Sequence, residues 1–135
     1  MVARVCGFGA GVDPRESHMN IHHIALRVAD PARARTFYEG VLGLELVRTH
    51  EDEHGLRSVW FRVGTAIVML ERELRISPVR AGSGHVLAFA VDDLRVWRER
   101  LASHGVEIET ATEYTLYVRD LDGHGVAMSV YDSAR

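Results

Sequence analysis

The sequence repeats itself once. Shifted by 62 positions, His23–Leu46 (HIALRVADPARARTFYEGVLGLEL) lies without gaps on His85–Ile108 (HVLAFAVDDLRVWRERLASHGVEI). His23 meets His85, Asp30 meets Asp92, Arg33 meets Arg95, Gly43 meets Gly105 and Glu45 meets Glu107. Two copies are too few, and each too long, for a solenoid, so the chain reads as a duplicated module.

Each copy carries the same signals in the same order. A β-rich run opens it (Ile21–Val28; His85–Val91) and ends at Asp30 or Asp92, short polar side chains suited to capping a helix. Pro31 then occupies a first helical turn. Ala34, Phe37, Tyr38 and Val41 make an apolar helical stripe in the first copy, and Leu94, Trp97 and Leu101 one in the second. Gly43 and Gly105 stand where a helix ends in a left-handed residue. Three strand-like runs follow in each half: Leu44–Arg48, Leu56–Val63 and Ala66–Glu71, then Val106–Glu109, Tyr114–Arg119 and Val126–Tyr131. The order is βαβββ twice, an α+β class, with Arg72–Gly84 as the linker. Residues 1–19, Gly-rich and without periodicity, read as a flexible arm. Residues 20–135 form one domain, with modules 20–72 and 84–132.

Composition removes several function classes. A net charge of −3 gives no basis for binding a phosphate backbone, and no apolar run is long enough to span a membrane. The single cysteine, Cys6, excludes an internal disulfide and fits a reducing cytoplasm. All 16 basic residues are arginines, which excludes Schiff-base chemistry on a lysine. Gly7–Gly11 fails as a dinucleotide fingerprint, because Val12 stands at the third glycine and no βαβ unit follows. His50-Glu51-Asp52-Glu53-His54 spells HExxH, but the acidic run leads into Gly55 between two strands and reads as a turn rather than a zinc-binding helix.

With "HIALRVADPARARTFYEGVLGLEL", "GHVLAFAVDDLRVWRERLASHGVEI" and "YVRDLDGHGVAMSVY", the chain resembles the vicinal-oxygen-chelate superfamily. That superfamily includes glyoxalase I, bleomycin-resistance proteins, methylmalonyl-CoA epimerase and extradiol dioxygenases. The resemblance runs from about Asn20 to Asp132, with Leu121 in place of the usual proline of the "DPDG" turn. It implies two βαβββ modules forming a cupped mixed sheet with helices outside, and a homodimer. It also implies a divalent metal (Mn, Fe, Ni, Co or Zn) in the cup, held by a histidine from each first strand and a glutamate from each last strand.

Carried over residue by residue, the histidines are His23 and His85, with His22 turned to the other face by the two-residue period of a strand. The glutamate positions fall on Ala127 and on Val68 or Met69, none of which supplies an oxygen. Glu71, on the face of Met69, is the carboxylate that would complete a two-histidine, one-carboxylate set. Arg27 shares the face of His23 and suits an anionic group, one of Trp60 and Phe61 faces the cavity, and Tyr117 and Tyr131 offer hydroxyls to a bound molecule. Two readings stay open for this small-molecule site. One is a metal-dependent lyase, isomerase or dioxygenase; the other is a metal-free protein that binds or sequesters its ligand.

Overall fold

A computed structural model describes residues 19–72 and 84–131. The arm up to residue 18, Cys6 within it, the linker 73–83 and residues 132–135 lie outside the described residues. The first module runs β1 (His23–Val28), α1 (Pro31–Arg35) continued as a π-helical stretch (Thr36–Val41), β2 (Glu45–Asp52), β3 (Gly55–Val63) and β4 (Ala66–Arg72). The second runs β5 (Val86–Ala90), α2 (Leu94–Ser103), β6 (Thr110–Ala111), β7 (Thr115–Arg119) and β8 (Gly125–Ser129).

The modules share one topology. In each, the first strand pairs in parallel with the last, and the other pairings are antiparallel, giving sheet orders β1-β4-β3-β2 and β5-β8-β7-β6. Each βαβββ module is thus one mixed four-stranded sheet with its own helix, the α+β arrangement expected from the sequence. Asp30 caps α1, accepting from the backbone amides of Ala32 and Arg33, and Pro31 follows at the first turn. Beyond Arg35 the helix widens, and Leu42 N–H reaches five residues back to the Phe37 carbonyl. The wider turn lets the neighbours Phe37 and Tyr38 both enter the core, alongside Val41 and Leu42. Gly43 and Gly105 end their helices at φ +74° and +70°, conformations that side-chain-bearing residues resist.

The second module departs from the sequence reading in frame. Asp93 rather than Asp92 caps α2, accepting from Arg95 N–H at 2.8 Å. The cause is burial. Ile24, Leu26 and Val28 turn inward on β1, and on the other side of the molecule Leu87, Phe89 and Val91 do so, a spacing of 63 residues rather than 62. The second strand of this module, β6, also moves. Val106 and Ile108 pack on the core as extended chain after Gly105, and ladder pairing begins only at Thr110, opposite Tyr117. The HExxH run lies in the β2–β3 hairpin, with no helix to align its histidines.

One apolar core crosses both modules, from Leu26, Phe37, Phe61 and Leu70 to Leu101, Leu116, Val126 and Met128. Polar groups clasp the halves together at the β7–β8 turn. Tyr38 Oη donates to Asp120 Oδ2 at 2.6 Å, both residues being buried. Asp120 Oδ1 accepts from the amides of Asp122 and His124, Asp122 Oδ1 accepts from Ala29 N–H, and His124 Nε2–H donates to the Arg27 carbonyl at 2.7 Å. At the other end, Arg100 donates to the carbonyls of Val41 and Gly40. Burial, and then the Asp120 carboxylate, hold the Tyr38 phenol far above the ordinary tyrosine range, so it stays a donor at any working pH.

Tyr38→Phe leaves one oxygen of a buried carboxylate short of a donor and is expected to cost about 1–3 kcal/mol in a denaturant titration. Because the folded pKa of Tyr38 is raised, its contribution is complete below the unfolded value near 10 and declines as pH climbs beyond it. Wild type should therefore lose stability above about pH 10 more steeply than Tyr38→Phe, as followed by thermal melts across that range.

Candidate functional site

Strand alternation divides the first sheet into two faces. Leu26, Val28, Val59, Phe61, Val68 and Leu70 enter the core. The residues between them stand on the outer face, and the ladder registers set them in rows. His23 neighbours Ile67, which neighbours Arg62; Ala25, Met69 and Trp60 form the next row, with Arg48 beyond; Arg27, Glu71 and Ser58 form the third, with His50 beyond. The register irregularities of β2 between Leu46 and Arg48 and between His50 and Glu51 are bulges, which re-aim side chains at a sheet edge.

A cavity of about 150 Å³ opens on this face, lined by His22, His23, Trp60, Ile67 and Met69. Its walls are almost wholly apolar in contact surface. His22 precedes β1, so strand alternation does not bind it, and it joins the cavity rather than the opposite face. Its Nδ1 lies 2.9 Å from His23 Nδ1, and the rings meet edge to face. The indole of Trp60 is framed by the His50 ring at 5.2 Å and the Arg48 guanidinium at 5.7 Å. Its Nε1–H is buried and meets no acceptor among the described residues. A donor left in this condition costs free energy until something accepts from it.

Of the residues singled out in the sequence, His23, Arg27, Trp60 and Glu71 share this face. His85 does not join them. On the burial spacing of 63 the counterpart of His23 is Val86, half exposed, and the counterpart of His85 is His22. The His85 ring meets His124 instead. With His124 Nε2–H given to the Arg27 carbonyl, a neutral His124 presents its Nδ1 as an acceptor, and His85 Nε2–H donates to it at 3.3 Å. Tyr117 lies on the outer face of the second sheet, in a row with Ala127 and Ala88. Tyr131 follows β8, largely exposed, with its ring against Tyr114.

Donors for a metal are sparse. His23 and Glu71 share a face but sit four residues apart along paired strands, roughly 13 Å at strand rise. Met69 and Ala127 hold the positions where the resemblance places carboxylates. Among the described residues no three His, Cys, Asp or Glu side chains converge to hold an ion. The residues present do not fit the divalent metal that the resemblance implies.

Sequence reasoning passed over Arg48 and Ser58, turned His22 to the other face and read His50 as part of a turn. Ser58 is buried and shares a 3.2 Å hydrogen bond with His50 Nδ1. The two-residue period counted back from Trp60 reaches Ser58, but placing His50 beside it needs the bulged hairpin register.

Comparison with known proteins agrees with this architecture. The family model of the Glyoxalase/Bleomycin resistance protein/Dioxygenase superfamily matches residues 20–128. No curated protein matches the chain. Among solved structures, a lactoylglutathione lyase from Agrobacterium tumefaciens superposes with a TM-score of 0.65 at 24% identity, covering 82% of this chain and 92% of that one. The fosfomycin resistance protein FosX from Mesorhizobium loti gives 0.71 at 19%, covering 85% and 94%. A mutant FosX from Listeria monocytogenes, complexed with Mn(II) and 1S,2S-dihydroxypropylphosphonic acid, gives 0.72 at 20%, covering 85% and 94%. At these identities the likeness is one of fold.

Trp60→Phe removes the stranded N–H together with part of a ring. The two effects oppose, so stability should change by less than about 1 kcal/mol, against the 1–3 kcal/mol range common for losing a packed group. Urea midpoints of the two proteins check this. A large loss would mean that the indole serves packing.

Proposed function

This chain belongs to the Glyoxalase/Bleomycin resistance protein/Dioxygenase superfamily, and from that premise we propose that it holds a small planar molecule against the outer face of its first sheet without a metal. The single observation that carries the reading is an apolar cavity walled by Trp60, Met69, Ile67, His22 and His23 with no converging set of metal donors among the described residues. A ligand ring stacked against the Trp60 indole and among these groups gains from apolar burial. Arg48, on the Trp60 ring, fixes the indole plane, and His50 supports its edge. Arg27 and Glu71 supply charge one row further along. Among the described residues no trio of metal-ligating side chains converges on this face, which favours binding or sequestration over metal-dependent turnover.

A metal-dependent lyase, isomerase or dioxygenase is the second reading. His23 at the cavity favours it, as does the Mn(II) complex of the Listeria FosX. It needs donors beyond those of this face, and a homodimer is the arrangement by which a second copy would bring them.

Elemental analysis decides between the two, on full-length protein purified without chelators or a histidine tag. The metal-free reading expects Mn, Fe, Ni, Co and Zn far below one per chain, with no change in His23→Ala or His85→Ala. One equivalent of any of them, lost in either variant, overturns it. Trp60 and Trp97 are the two tryptophans, so Trp97→Phe makes emission a report on the cavity alone. That emission should shift when planar ligands bind.

A further inference from the structure

We infer that the molecule bound at this face is a single-ring aromatic carrying a cationic nitrogen, with Glu71 as its counter-ion, an inference that rests on the binding function proposed above. Size comes first. The open cavity of about 150 Å³ has room for one six-membered ring, the volume at which an enclosed apolar protein cavity takes up benzene.

Charge comes second. Glu71 is half-buried on the outer face, one row beyond Met69 and Trp60, and its carboxylate makes no hydrogen bond or ion pair with any described residue. Its neighbours across the strands are Arg27 and Ser58. Ser58 is bonded to His50, and Arg27 has a partner of its own. An unpaired carboxylate one row beyond an apolar cavity is answered best by a charged donor, since bonds between ions are about twice as strong as those between neutral groups.

Distance agrees. Adjacent same-face rows stand roughly 6.6 Å apart along a strand. In a ring lying over the Met69–Trp60 row, an amidine or aminomethyl nitrogen projects about that far once a hydrogen bond of about 2.9 Å is included. An anionic ligand would place its charge beside Glu71. The guanidinium that is nearest the aromatic wall, that of Arg48, already lies on the Trp60 ring.

The test uses the full-length Trp97→Phe protein and follows Trp60 emission during titration with benzamidine, benzamide and benzoate, three near-identical rings that are cationic, neutral and anionic. Benzamidine should bind tightest and benzoate weakest. Glu71→Gln should weaken benzamidine by about tenfold or more while leaving benzamide within about twofold. Added salt should weaken benzamidine alone. Rings that bind with benzoate tightest, or with benzamidine indifferent to Glu71→Gln, overturn the cationic assignment and leave the binding function standing. If none of the three rings perturbs Trp60, both fall. Circular dichroism of Glu71→Gln confirms that the comparison is between folded proteins.

Discussion

One buried carboxylate sets the relation between the two halves of this protein. Asp120 takes a phenolic hydrogen bond from the first module and two backbone hydrogen bonds from its own turn. Three donors on two oxygens make burial of a charge tolerable, which an isolated carboxylate would not be. The turn that Asp120 organises also delivers Asp122 to Ala29 and His124 to Arg27, at the far end of β1. The strand that carries His23 and Arg27 is therefore pinned by polar bonds at one end and by the apolar core along its length. The outer face of the first sheet is a rigid platform for that reason, and rigidity is what a small cavity needs if it is to select a ligand by shape.

Much of this fold was legible because it is written twice. Asp30 before Pro31, the apolar stripe through Phe37 and Val41, and Gly43 and Gly105 after their helices each have one physical meaning, and all hold in the structure. Where the reading slipped, it followed identical letters over burial. Matching His23 to His85 and Asp30 to Asp92 is the best gapless alignment, yet Leu87 and Phe89 must face the core, and they carry the frame one residue on. The π-helical stretch left no mark either, because its signature is a hydrogen bond five residues long and not a residue type.

The candidate site was half legible. His23, Arg27 and Glu71 fall on one face from strand period and parallel pairing, and Trp60 joins them because Phe61 is the better core residue. What the sequence left hidden depends on cross-strand register and on residues outside ladders. His50 reaches Ser58 through a bulged hairpin, and His22 enters the cavity because it stands before the strand begins. The stranded indole N–H is a property of packing in three dimensions, and no pattern of letters announces it.

The frame of β5 has a wider meaning. On the burial spacing His85 answers to His22 and Val86 to His23, so where the first module presents an imidazole from its opening strand the second presents an isopropyl group. Two halves can share a letter without sharing a side-chain position, so counting histidines in a doubled scaffold says little about which of them ever meet.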